Sequence, residues 1–275
     1  MATSRISASS YSNTAPLVWS FIYGQNRGNV EIILDNAPAR SAELLAQERV
    51  DAALVPIIAY QTIENVRLIP RVCVGARMRA RSVGLITKGC DLADVRRVSL
   101  DTSSRTSVAL TKIIFREFLR FEPEWQPAAP NIRSMLASAD AALLIGDPSL
   151  AISSDPGSFN LRYFDLAELW HRHTGLGFVF AMWMTRAASC SIDFAGARDE
   201  GLDHIDEIIA NYRSEIKLDP HEMFSYLTQN ISYTVNDAMQ QGLELYFRLA
   251  HKHLLIDANK PLEFAVSSEN TRGDA

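Results

Sequence analysis

Asp51-Ala52-Ala53-Leu54-Val55-Pro56 is the stretch on which the fold turns. A nearly unbroken apolar run ended by proline has the pattern of a strand covered on both faces, because a half-exposed strand alternates apolar and polar residues. Arg5-Ile6-Ser7-Ala8 and Val30-Glu31-Ile32-Ile33-Leu34 upstream of it are also strand-like. Between those two, Thr14 can cap a helix with Pro16 in its first turn, where a missing N–H costs little. Pro38 opens a second helix that turns Leu44 and Leu45 inward. The chain through Pro56 thus reads β-α-β-α-β, the pattern of a parallel sheet with helical crossovers.

The same pattern returns in Asp140-Ala141-Ala142-Leu143-Leu144-Ile145-Gly146-Asp147-Pro148: an Asp, two Ala, an apolar run and a Pro. We read the echo as two lobes built alike. Val72 to Gly75, Ser82 to Thr87 and Val98 to Leu100 supply further strands, and Gly177 to Met184 is another apolar one. Thr111 to Arg120 reads as an amphipathic helix with Ile114, Phe118 and Leu119 on its buried face. From Ala197 onward Leu202, Ile205, Ile208 and Ile209, and later Leu243, Phe247 and Leu254, fall at helical spacing. Asp219-Pro220 starts a helix between these groups, and the polar tail from Ser267 to Ala275 is expected to be loose. With no low-complexity linker, the lobes are expected to be joined by extended strands near 82–92 and 176–183. Lobe one then holds residues 1–88 and 180–275, and lobe two residues 93–175.

At 275 residues and 47% apolar content the chain can bury a full core, and its net charge of −5 leaves no basic footprint. A nucleic-acid partner is not expected, since phosphate binding needs a Lys/Arg stripe. Cys73, Cys90 and Cys190 are widely spaced with no CxxC pair, so they are expected to remain thiols. His171 and His173 lack a third ligand at useful spacing and read as a surface pair, so no metal is expected. The N-terminus lacks the basic start and apolar core of a secretion signal, and no run nears the roughly 18 apolar residues that span a bilayer. A cytoplasmic protein without a membrane partner is the expectation.

Chemistry concentrates in two polar turns. Asp101-Thr102-Ser103-Ser104-Arg105-Thr106-Ser107 carries five hydroxyls, one Asp and one Arg just before a helix. The first N–H groups of a helix lack partners within it, and with the positive end of the dipole they suit a small anion. One or two hydroxyls would suffice for a simple cap; five point to an anion site. Ser10-Tyr11-Ser12-Asn13-Thr14 also precedes a helix start and forms a second donor-rich cradle.

In these stretches the chain resembles the chorismate dehydratases of futalosine-type menaquinone synthesis. Ser10 to Leu17, Asp51 to Pro56, Ser82-Val83, Asp101 to Ser107, Ile145-Gly146-Asp147, Gly177 to Trp183 and Gly242 to Phe247 are similar to that family's motifs and follow its order. Ser12 stands where the family usually has Leu, and Gly84 where it has a branched apolar residue. The resemblance implies a two-lobed α/β fold like the type II periplasmic binding proteins, with the ligand in the interlobe cleft. It implies a hydro-lyase that needs no cofactor and aromatises chorismate to 3-(1-carboxyvinyloxy)benzoate by loss of water. Orientation alone can supply about 7–11 kcal/mol of such a barrier.

On that reading Asn13 orients the reacting ring as the catalytic residue. Ser10, Tyr11, Thr14, Ser82, Thr102, Ser103, Ser104, Thr106 and Asp147 bind the dianionic substrate. The base is left open among Asp101, Asp147 and the substrate's own side-chain carboxylate, because an ionised Asp would repel a dianion unless paired or protonated. Arg105 either neutralises a carboxylate or turns out to pair with Asp101 or Glu117. A homodimer is left open. Two other functions compete. The sister enzyme that makes 1,4-dihydroxy-6-naphthoate would be expected to place a His in the cleft, and the polar turns contain none. A non-catalytic anion-binding protein would return its ligand unchanged.

Overall fold

The computed structural model of the chain describes residues 3–267 apart from 156, 158, 159 and 217, so the tail read as loose lies, beyond Ser267, outside the described residues. The first β-α-β-α-β group forms as read: β1 (Ser4–Ser9), α1 (Ala15–Ile22), β2 (Val30–Asp35), α2 (Pro38–Ala46) and β3 (Ala52–Pro56). β3 is buried at every residue, which accounts for its unbroken apolar run. Then follow β4 (Arg67–Ala76), β5 (Val83–Thr87), β6 (Arg97–Asp101), α3 (Thr106–Ile113), β7 (Glu124–Ala128), α4 (Ile132–Ser138), β8 (Ala141–Ile145), α5 (Gly146–Ser154), β9 (Arg162–Asp165) and α6 (Leu166–Thr174). β10 (Phe178–Thr185) and the short β11 (Ser189–Cys190) lead into α7 (Phe194–Asp203), α8 (Ile205–Tyr212), α9 (Pro220–Ser225), α10 (Asp237–Lys252) and β12 (Val266–Ser267).

Two five-stranded sheets result, in the orders β2-β1-β3-β10-β4 and β7-β6-β8-β5-β9. They share one plan. In each, three strands run parallel and the fourth is antiparallel to both neighbours: β10, which follows the whole second sheet in sequence, lies between β3 and β4, and β5, the first strand of its own sheet, lies between β8 and β9. The two echoing segments, β3 and β8, hold the same place in their sheets. This is the two-lobed α/β architecture expected from the sequence.

The crossings differ from the expectation. Residues 83–87, read as part of lobe one or of a crossing strand, pair with β8 and β9 in the second sheet. Residues 178–183, read as crossing with 180 onward in lobe one, lie in β10 of the first sheet, so only the start of the strand departs from that reading. Both strands are buried along nearly their whole length, so each carries a sheet centre and the chain passes between sheets in the shorter segments 77–82 and 175–177. Gly84 belongs to this packing. A Cβ there would lie 2.2 Å from the Tyr163 ring, so the branched residue usual in the family has no room.

The helix read from Thr111 begins five residues earlier, at Thr106, and passes at Ile114–Leu119 into a π-helical turn that ends at Arg120 with φ 63°. The hydroxyl-rich stretch is therefore itself the first turn: the Ser104 hydroxyl accepts the Ser107 N–H at 3.3 Å. α1 and α7 cover one face of the first sheet, where Trp183 of β10 stacks within 4.3 Å of Phe194. α10 packs across β10 and α3, with Tyr246 donating to the Thr106 carbonyl at 3.0 Å.

Candidate ligand site in the interlobe cleft

The carboxyl ends of β1, β3 and β8 and the start of β5 converge on a cavity, the place where open α/β sheets bind ligands. Asn13, Thr14 and Tyr11 line it from the first lobe; Ser82, Ser104, Thr106 and Ser107 line it from the crossing and the second. Leu54, Pro56, Val74, Phe180 and Ile145 form the apolar walls. Among the described residues lining it there is no Lys, Arg or His.

The hydroxyls are set as donors. An oxygen that accepts from a backbone N–H keeps its own proton for another partner. Ser104 accepts from Ser107, and Thr106 accepts the Ile58 N–H at 3.3 Å from across the cleft. The cap and anion-site readings of this turn are thus compatible, since one oxygen serves both. Ser9 and Thr14 pair their hydroxyls at 2.8 Å, and Thr14 reaches Asn13 Oδ1 at 3.4 Å.

The remaining sequence candidates lie outside the lining. Ser10 turns away, its hydroxyl donating to Asn36 Oδ1 at 2.5 Å. Thr102 is exposed. Ser103 is engaged with Asp101, whose Oδ1 accepts the Ser103 N–H at 2.8 Å and its hydroxyl at 2.6 Å. Asp147 accepts the Ser12 N–H at 3.2 Å and the Ser12 hydroxyl, so Ser12, at the family's Leu position, ties the first-lobe loop to α5. Arg105 pairs with Glu43 of α2 at 3.2 Å, not with Asp101 or Glu117. Glu117 is held instead by Lys252 and His253.

Burial raises the carboxyls of Asp101 and Asp147 above the usual range, while hydrogen bonds from Ser103 and Ser12 respectively pull against that shift. Asp101 is wholly buried and its Oδ2 has no hydrogen-bond partner. The Tyr11 phenol is raised too, by burial first and by the two carboxylates nearby. Tyr11 lies flat against Gly146, which adopts φ 66°; a Cβ there would meet the ring at 2.8 Å.

Sequence reasoning missed three groups. Ser9 sits at the end of β1, where only the register shows that it reaches the cleft. Phe180 lies on a strand read simply as apolar. Tyr226 opens a π-helical turn, Tyr226–Asn230, whose extra residue leaves no mark in apolar spacing. Elsewhere, His173 stacks on Phe118 at 4.6 Å, and the three cysteines are unpaired. Among the described residues no cluster of three or more His, Cys, Asp or Glu could hold a metal, and no helix is long and apolar enough to cross a membrane.

Comparison with known proteins places this geometry in context. A family model described as menaquinone biosynthesis matches residues 4–252. A chorismate dehydratase of Thermus thermophilus is 28% identical over 233 residues, 78% of this chain and 84% of the relative. A protein of Archaeoglobus fulgidus has the same fold with a TM-score of 0.70 at 16% identity, over 92% of this chain and 98% of that one. The periplasmic aliphatic sulphonate binding protein of Escherichia coli superposes with a TM-score of 0.61 at 16% identity, over 95% and 96% of the two chains.

Proposed function

The chain belongs to the menaquinone biosynthesis family, and from that premise we propose that it is a chorismate dehydratase, a hydro-lyase yielding 3-(1-carboxyvinyloxy)benzoate. The observation that carries the reading is the convergence of Asn13, Ser82, Ser104 and Thr106 on one cavity between the sheets. Its similarity to the Thermus thermophilus dehydratase over most of both chains supports the substrate.

Chorismate carries two carboxylates, and without a lining cation they are met by neutral donors. Ser104 and Thr106, with the start of α3, receive one carboxylate; Ser82 contributes beside them. Asn13 faces the ring, where its amide can orient the departing hydroxyl. Neither Asp101 nor Asp147 lines the cavity, and each is occupied with a serine. The proton next to the ether oxygen therefore goes to the substrate's own side-chain carboxylate, and the hydroxyl leaves as the ring aromatises, taking that proton up as water. The protein's part is to hold that conformation, which is where orientation gains most.

The test is to incubate the purified chain with chorismate and follow proton NMR. New aromatic signals with loss of the diene signals are expected. A ligand that binds and returns unchanged would instead favour a binding protein, as the sulphonate-binding neighbour is.

A further inference from the structure

Tyr226 lies beside Asn13 and Ser82. Its side chain is fully buried, and its hydroxyl faces the side chains of both Asn13 and Ser82. Yet that hydroxyl makes no hydrogen bond of good geometry. A buried polar group without a partner is costly, and native proteins keep few of them. This one is held in place from several sides. Glu222, one turn earlier, is paired with Arg81 of the crossing segment, which itself adopts φ 64°. The Tyr226 carbonyl accepts the Ile231 N–H at 3.1 Å, and Ser232 pairs with Gly75 of β4 at 2.8 Å. The turn is π-helical, a form found mostly at functional sites.

Asn13 needs such a neighbour. A carboxamide presents a donor at one end and an acceptor at the other, and a flip exchanges them. Thr14 approaches Oδ1 only at 3.4 Å, too long to hold the amide by itself. The Ser82 hydroxyl is similarly loose, reaching the Ala80 carbonyl at 3.4 Å. Burial keeps the Tyr226 phenol neutral, so it can both donate and accept.

We propose that Tyr226 is a positioning residue for the dehydration: it donates to Asn13 Oδ1 and so directs Asn13 Nδ2 at the hydroxyl that leaves the substrate. The role rests on chorismate dehydration as the activity. Catalytic hydrogen bonds are often poorly aligned before ligand binds and tighten in the complex, which fits an orphaned phenol beside two loosely held partners.

Tyr226→Phe removes one oxygen and keeps the ring. Its kcat on chorismate is expected to fall about tenfold or more with KM within about threefold. The melting temperature is expected to hold or rise, because an unpartnered polar atom is lost. In an Asn13→Leu background the same change should alter kcat by less than about twofold, since the residue through which it acts is gone. Loss of equal size in both backgrounds, or a kcat that does not move, overturns the proposal. A second readout needs no turnover: with the reaction product 3-(1-carboxyvinyloxy)benzoate bound, Tyr226→Phe should shift the Asn13 side-chain amide NMR signals. Unchanged signals overturn the pairing whatever the activity, whereas a wild-type chain that leaves chorismate intact overturns the dehydratase reading and this role with it.

Discussion

Ser12 and Asp147 stand 135 residues apart in sequence and are joined across the cleft, the serine giving both its N–H and its hydroxyl to one carboxylate. Ser12 lies in the loop leading into α1, and Asp147 in the first turn of α5. The pair therefore latches the lobes together next in sequence to the cavity-lining residues Tyr11, Asn13 and Gly146. Hydrogen bonds to ionised groups are worth about 1.5–3 kcal/mol. Ser12→Ala should weaken chorismate binding by about ten- to a hundredfold. Calorimetric titration checks this, and an affinity within about twofold of wild type would remove the latch from the account.

Gly146 tolerates no side chain. Its φ of 66° strains an L-residue by about 1–2 kcal/mol, and a Cβ would press on the Tyr11 ring from 2.8 Å. Gly146→Ala should lower the urea midpoint and push Tyr11 out of the cleft wall. Tyrosine fluorescence quenching by acrylamide reads the second effect; an unaltered quenching constant contradicts it.

Asp101 and Asp147 bind protons more readily when buried than when unfolded. Between the ordinary carboxylate value and the raised native ones, the folded state holds more protons, so stability from these groups grows as pH falls and is lost as pH rises through that window. Other carboxylates, Glu117 and Asp140 among them, are lowered by their partners and act oppositely. The comparison must therefore be with the Asp101→Asn/Asp147→Asn variant. Urea titrations from neutral pH down to the ordinary carboxylate value of about 3.9 should show wild type gaining on the variant; a constant difference refutes the shifts.

Thr106→Ala and Asn13→Leu should separate by kinetic signature. On the proposed reading Thr106 gives its proton to a carboxylate in the ground state and transition state alike, so its loss should raise KM by about tenfold or more. Asn13→Leu should instead lower kcat, and Asn13→Asp should harm binding as well by facing a dianion with a charge. Steady-state rates on the three variants decide, and a near-normal kcat in Asn13→Leu would make Asn13 a binding residue.

Much of this was legible in residues taken singly or in short runs. The buried runs at 52–56 and 141–145 announced twin sheets because continuous apolar residues need cover on both faces. The turn at 102–107 announced donors because hydroxyls cluster where helix N–H groups are free. The crossings were harder to read. Residues 83–87 and 178–185 are sheet centres by burial, but which sheet takes them depends on pairings made far away in sequence. Ser10 and Ser12 are adjacent to site residues and polar alike, yet one faces Asn36 and the other Asp147; local spacing in a 3-10 turn does not distinguish them. Tyr226 was hidden for a similar reason, as a tyrosine between core residues in a helical stretch looks like packing.

The place of the fourth strand of each sheet in the chain also orders the protein's birth. As the chain leaves the ribosome, β5 is already waiting when β8 and β9 arrive, so the second sheet has all its strands by Asp165. The first sheet does not: β3 and β4 must wait with facing edges unpaired until β10, ending at Thr185, slides between them. For about a hundred residues of synthesis, several seconds at ordinary translation rates, those two apolar edges are open to the wrong partner. The half of the molecule translated first is the half completed last.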